Sequence, residues 1–164
     1  MGLMQREKGK RFERQVADQM RRRWPRVIVR RASQAERADN PDVFCEGDPV
    51  LERLWLELQD AKAPTPQAKL AQAERDAAAW CAARGRGVRW PVVVWHRLGE
   101  RTTWVTLRLA VLLDLVAPLP DVQDERSHAV TVTLDAFFDM LDDAPRPRPI
   151  GPDPDQLRLP GVTT

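Results

Sequence analysis

A long helical segment between two apolar segments is the feature that most restricts the fold of this 164-residue chain. Residues 67–83 carry apolar side chains at helical spacing, and prolines before them and glycines after them mark the two ends. The flanking segments, residues 54–59 and 91–95, are mostly apolar, which is typical of strands covered on both faces. Two buried strands joined by a helix form a parallel crossover. The pattern therefore predicts a sheet with at least one parallel pair.

Shorter segments complete the predicted sheet. A helix is predicted over residues 8–23, where Phe12, Val16 and Met20 form one apolar stripe, and it ends before Pro25. Further strands are predicted at residues 27–31, 42–45, 102–107 and 129–134, and further helices at residues 108–116 and 135–141. The three consecutive strands after the first helix favour antiparallel hairpins. We therefore expect an α/β fold in which helices flank a mixed β-sheet.

The predicted domain covers residues 1–143. Residues 144–164 contain six prolines and few large apolar side chains, so they are predicted to form a disordered tail. No apolar run reaches the roughly 18 residues of a transmembrane helix, which excludes a membrane-spanning protein. The N-terminus lacks the apolar core of a signal peptide, so a cytoplasmic location is expected, in a host cell if the protein is phage-encoded.

Positive charge is concentrated in the N-terminal quarter of the chain. Residues 1–40 hold 12 Arg and Lys residues but only 5 Asp and Glu residues, although the whole chain has a net charge of +2. Such an asymmetry favours a polyanionic partner such as nucleic acid. A solvated, arginine-rich helix without a ligand is the alternative that charge alone leaves open.

Acidic residues stand at three informative positions. Glu57 lies inside an otherwise apolar strand, where a charged carboxylate needs a partner or a metal ion. Gln59 is two residues further and is predicted to share its face of the sheet. Asp42 follows Pro41 at the start of a strand, and Glu13 lies on the first helix. Converging carboxylates suit Mg²⁺, which can activate water and neutralise phosphate charge. Alternatively, Glu13 is a solvated helix residue and Asp42 caps its strand.

These residues carry a resemblance to a known family. Pro41-Asp42, followed after 14 residues by Glu57-Leu58-Gln59, resembles the PD-(D/E)xK nuclease motif, with Gln where that family usually has Lys. The Lys-Gly-Lys-Arg-Phe-Glu-Arg sequence of residues 8–14 is similar to the start of archaeal-type Holliday junction resolvases, which carry a metal-site Glu on the first helix. Residues 29–33 resemble their first strand and the serine-bearing loop, and the resemblance spans residues 8–97.

The resemblance implies a restriction-endonuclease-like fold and a structure-selective endonuclease that resolves four-way DNA junctions as a homodimer. It implies Mg²⁺, with Mn²⁺ as a substitute, held by Glu13, Asp42 and Glu57. Gln59 would occupy the position of the lysine that orients the attacking water. Lys62, Arg30 or Arg31 could supply the missing charge. The residues expected to contact DNA are Lys8, Lys10, Arg11, Arg14, Arg30, Arg31 and Ser33.

Two other functions stay open at this stage. Gln59 in place of lysine favours a non-catalytic DNA-binding or recombination module with the same fold, and a nuclease acting on other DNA structures is the second alternative. The tail sequence Gln156-Leu157-Arg158-Leu159 resembles the short peptides with which bacterial DNA-processing proteins bind the sliding clamp. A chance leucine pair in a disordered tail is the competing interpretation of that motif.

Overall fold

The computed structural model describes residues 3–33, 40–85, 87–116 and 128–146, with the side chains of residues 3–8 and 116 outside the description. Four helices, α1 (Leu3–Arg23), α2 (Pro66–Arg84), α3 (Leu109–Val116) and α4 (Leu134–Asp143), accompany six strands. The strands are β1 (Ile28–Arg31), β2 (Val43–Glu46), β3 (Leu54–Ala61), β4 (Trp90–Arg97), β5 (Thr103–Arg108) and β6 (Ala129–Thr133). A short 3₁₀ turn, Leu51–Arg53, precedes β3.

The six strands form one mixed sheet in the order in which they occur along the chain. Strands β3 and β4 are parallel, with Glu57 beside Val93 and Gln59 beside Trp95, and helix α2 forms the connection between them. All other neighbouring strands are antiparallel. The crossover predicted from the sequence is therefore confirmed, as is the α/β class with helices flanking a mixed sheet.

Helices cover β3 on both faces. Leu54 and Leu56 belong to the main core with the apolar stripe of α1, whereas Trp55 packs against Ala77 and Trp80 of α2. Successive residues of a strand point to opposite faces, so the sheet has an α1 face and an α2 face. Because both faces are covered, a charged side chain in the middle of β3 cannot reach water freely.

The ends of α2 follow from its sequence. Pro66 occupies the first turn, where a missing backbone N–H costs nothing. At the other end Gly85 adopts a left-handed conformation with φ of 57°, and its N–H donates to the carbonyl of Cys81. Pro66 and Gly85 therefore determine where α2 begins and ends. These ends in turn determine which residues of α2 lie over β3.

The domain continues past the predicted boundary at residue 143. Ala144 is buried in the core, and the Arg146 guanidinium lies 2.8 Å from an Asp48 carboxylate oxygen. The rest of the predicted tail, including the sliding-clamp motif at residues 156–159, lies outside the described residues, as do residues 34–39 between β1 and β2. Among the helices that the structure describes, none is long and apolar enough to cross a membrane.

Candidate functional site

Asp42 and Glu57 face each other across neighbouring strands. Val43 pairs with Leu56 in the antiparallel β2–β3 register, so Asp42 is opposite Glu57, and the Asp42 N–H donates to the Leu56 carbonyl over 2.9 Å. Because successive strand residues point to opposite faces, the side chains of both residues lie on the α2 face. The Oδ2 atom of Asp42 accepts a hydrogen bond of 2.9 Å from the Leu58 N–H, which fixes the carboxylate beside β3. The fold thus brings together two of the three predicted metal ligands.

Glu57 is a buried carboxylate with partners on both oxygens. Its relative exposure is 8%. The Trp55 indole N–H donates to Oε1 over 3.1 Å, and the Lys69 ammonium lies 2.7 Å from Oε2. A buried charge requires such compensation. Lys69, from the first turns of α2, was not among the residues singled out in the sequence.

The charges of Asp42, Glu57 and Lys69 affect one another. Burial raises the pKa of Glu57, the negative charge of Asp42 raises it further, and the hydrogen bonds from Lys69 and Trp55 only partly offset these effects. Burial alone would lower the pKa of Lys69, but the hydrogen bond and charge of Glu57, with the charge of Asp42, raise it above its usual value. Lys69 is therefore held as a cation within the electric field of both carboxylates.

The position of Lys69 on α2 is unfavourable in isolation. It is the fourth residue of α2, near the positive end of the helix dipole, where a cation is disfavoured. The carboxylates of Glu57 and Asp42, rather than the helix dipole, stabilise the positive charge of Lys69. The sequence contained a signal for this contact: a crossover helix starting at Pro66 returns over β3, so a lysine in its first turns lies near the end of that strand.

Gln59 anchors the start of α2. Its Oε1 atom accepts a hydrogen bond of 3.1 Å from the Thr65 N–H, and its amide nitrogen lies 3.4 Å from the Thr65 hydroxyl. The Thr65 carbonyl in turn accepts from the Lys69 N–H over 3.0 Å. Gln59 shares the α2 face with Glu57, as predicted, and through Thr65 it helps to position the helix turn that carries Lys69.

This arrangement predicts that Gln59→Lys lowers the free energy of unfolding by about 1 kcal/mol, because a lysine cannot accept the Thr65 N–H bond. Gln59→Glu, which keeps an acceptor oxygen at the same place, is the matched control and is expected to lose less. Urea unfolding of the three proteins measures the difference. An unchanged midpoint in Gln59→Lys would show that the bond does not stabilise the start of α2.

Glu13 lies on the other face of the sheet. It is buried on α1, and its Oε2 atom accepts hydrogen bonds of 3.2 and 3.0 Å from the Arg31 guanidinium. The structure therefore does not unite Glu13 with Asp42 and Glu57 on one face. Within the described residues, no group of three or more His, Cys, Asp and Glu side chains is arranged to hold a metal ion.

The resemblance suggested three cations in place of the usual lysine, and in the described residues none of the three contacts Glu57. Lys62 is exposed in the turn after β3. Arg31 pairs with Glu13 on the α1 face, and Arg30, on the opposite side of β1, stacks on Phe44 with 4.2 Å between its guanidinium carbon and the ring centre. The cation that contacts Glu57 is thus Lys69.

The other residues expected to contact DNA are spread along α1 and β1. Arg11 and Arg14 are exposed on α1, Lys10 is half-buried, and Ser33 is exposed after β1. The side chain of Lys8 lies outside the described residues. The exposed side chains of α1 are available to solvent, as a phosphate-binding surface requires.

The sequence matches no protein-family model and no curated protein.

Proposed function

We propose that this protein is a Mg²⁺-dependent endonuclease that cleaves branched DNA, with four-way junctions as its substrate. The observation that carries the proposal is the meeting of Asp42, Glu57 and Lys69 on the α2 face of the sheet. The element order, helix–three strands–helix–strand, and the mixed sheet agree with the restriction-endonuclease-like fold that the resemblance implies.

The two carboxylates fit a Mg²⁺ ion. Proteins commonly hold this ion through one or two carboxylates, with water and substrate phosphate completing the shell. Asp42 uses only Oδ2 for the Leu58 N–H, and among the described residues no donor contacts its Oδ1 atom. Glu57 offers a second hard oxygen ligand that is buried beside it. Glu13, bound to Arg31 on the other face, is not needed for such a site.

The chain's own residues contribute position and charge. Mg²⁺, when bound, lowers the pKa of a coordinated water and offsets negative charge on the phosphate. Asp42 and Glu57 would hold the ion at this place on the sheet, and the scissile phosphate would complete its shell. Lys69, 2.7 Å from Glu57, would supply the positive charge that the nuclease family takes from the position of Gln59, and it would stabilise negative charge that develops on a phosphate bound there.

A non-catalytic DNA-binding module is the second candidate. The ion pairs of Glu57 with Lys69 and of Glu13 with Arg31 favour it, because each satisfies a buried carboxylate without a metal ion. Such a module would use the basic side chains of α1 to bind phosphates by shape rather than by sequence. The two candidates differ in cleavage but not in binding.

Incubation with a labelled four-way junction and a matched linear duplex tests the proposal. We expect cleavage of the junction with Mg²⁺ or Mn²⁺, none with EDTA, and much slower cleavage of the duplex. Because phosphate contacts release counterions, junction affinity should fall steeply with salt concentration. Tight binding without cleavage in either metal would overturn the nuclease proposal and support the second candidate.

Symmetric resolution of a junction requires two cleavage sites, so we propose that the active form is a homodimer. Sedimentation equilibrium of the protein with and without junction DNA measures the mass of that form. A monomer under both conditions, with junction cleavage intact, would contradict the dimer while leaving the nuclease proposal in place.

A further inference from the structure

A second polar site lies on the α1 face, on the opposite side of the sheet from Glu57. It is a cavity of about 310 Å³ between α1 and the turn that joins β4 to β5. Helix α1 contributes Arg11 and Gln15, and the β4–β5 turn contributes Arg101. Phe12 and Leu98 form apolar walls. Arg11 is also among the residues expected to contact DNA, but none of the functions considered above uses the cavity as a whole.

His96 also lines this cavity, and both of its ring nitrogens face hydrogen-bond acceptors. Its Nδ1 atom lies 3.0 Å from the Asp60 carboxylate and its Nε2 atom 2.7 Å from the Glu100 carbonyl. A carboxylate and a carbonyl only accept hydrogen bonds, so both contacts are satisfied only when both ring nitrogens carry protons. The hydrogen bond that His96 donates to Asp60 raises the pKa of His96, although burial opposes this effect.

The charges around the cavity sum to a positive value. Arg11 and Arg101 are exposed, and within the described residues neither forms an ion pair. Asp60 is the carboxylate that lines the cavity, and it is bound to His96. The Glu100 carboxylate, in the adjacent turn, is paired with Arg97 at 3.3 Å. Two guanidinium groups therefore face one carboxylate, and protonation of His96 adds a further positive charge.

We propose that this cavity binds a phosphate group of a nucleotide, with Arg11 and Arg101 as its direct ligands. Guanidinium groups bind phosphate oxygens through paired, charge-assisted hydrogen bonds. Gln15 and the Thr103 hydroxyl, which also line the cavity, offer further donors. The volume exceeds that of a phosphate and reaches the lower range of small-ligand sites, so it leaves room for the attached nucleoside against Phe12 and Leu98. The site does not depend on DNA cleavage.

Titration with inorganic phosphate, followed by amide NMR, tests the assignment. We expect shifts concentrated at residues 11–15 and 96–103, and an affinity about tenfold lower in Arg101→Gln. Arg75→Gln is the matched control, because Arg75 is an exposed arginine on α2, across the sheet, and its loss changes the net charge equally. No localised shifts at 20 mM phosphate, a concentration chosen for millimolar affinity, or equal losses in both variants, would overturn the proposal.

A short oligothymidylate identifies the source of the phosphate. If it shifts the same amides and competes with inorganic phosphate, the ligand is a nucleic-acid strand. If only inorganic phosphate and mononucleotides shift them, the ligand is a free nucleotide. Both results support a phosphate site, and binding of the oligonucleotide exclusively elsewhere, with no phosphate shifts, contradicts it.

Sulfate, which stays a dianion between pH 5.5 and 9, tests the contribution of His96. Because the pKa of His96 is raised, sulfate affinity should be constant at acidic pH and fall only as the pH rises through that elevated value. Asp60→Asn removes the main cause of the raised pKa, so the fall should move to lower pH. An identical pH profile in Asp60→Asn would show that His96 does not contribute charge to the site.

Discussion

Asp42→Asn and Glu57→Gln are each expected to reduce Mg²⁺-dependent junction cleavage by more than about 100-fold, since even indirect supports of metal ligands commonly contribute 10- to 100-fold. Both substitutions preserve side-chain shape and remove one negative charge. The affinity for junction DNA in EDTA should stay near the wild-type value, because neither carboxylate contacts the basic surface of α1. Single-turnover cleavage, measured beside a binding titration, separates the two effects.

Glu74→Gln is the control for these variants. Glu74 is on α2 and pairs with Arg108 of β5, two strands from β3, so its loss breaks an ion pair away from Asp42 and Glu57. Its cleavage rate should remain close to that of the wild type. Wild-type cleavage by Asp42→Asn or by Glu57→Gln would remove the carboxylate pair from the mechanism.

The position of Glu57 could be predicted from the sequence because strand geometry is local. The apolar run around it indicated a strand covered on both faces, and the alternation of strand residues placed Gln59 on its side. The order of the strands also placed Asp42 on a strand next to that of Glu57. Its position directly opposite Glu57 depends on the β2–β3 register, which was not predicted.

The partners of the charged residues could not be predicted in the same way. Glu13 was expected at the metal site, but α1 covers the opposite face of the sheet, and the face that a helix covers depends on tertiary packing. Arg23 illustrates the same limit: it was counted in the basic N-terminal segment, yet it pairs with Asp139 and Asp142 of α4. A charge sum over neighbouring residues contains no information about partners that are distant in the sequence.

Lys69→Met is expected to lower the free energy of unfolding by about 3 kcal/mol at pH 8. Removing one partner of a buried ion pair costs about 3–5 kcal/mol, and the lower end applies because 26% of the Lys69 side chain is exposed. Without Lys69, burial and the charge of Asp42 still raise the pKa of Glu57. Urea unfolding of the wild type and Lys69→Met at pH 5 and at pH 8 measures how much unfolding free energy is lost at each pH.

The pH dependence of this stability loss follows from the raised pKa of Glu57. A carboxyl whose pKa is raised in the folded state binds more protons there than in the unfolded state, so stability falls as the pH rises from the ordinary value through the raised one. At pH 5 a larger fraction of Glu57 is protonated in Lys69→Met, and the loss of stability should be smaller than at pH 8. A loss that is equal at both pH values would show that Glu57 is not the group left without a partner.

The double variant Glu57→Gln/Lys69→Met separates the ion pair from the packing of Lys69. With the buried charge of Glu57 removed as well, it should recover most of the stability that Lys69→Met loses at pH 8. Lys69→Arg keeps the charge and should remain folded, with a cleavage rate between those of the wild type and Lys69→Met. If the double variant is no more stable than Lys69→Met, the lysine stabilises α2 by contacts other than Glu57, and its role as the cation of the site loses its structural basis.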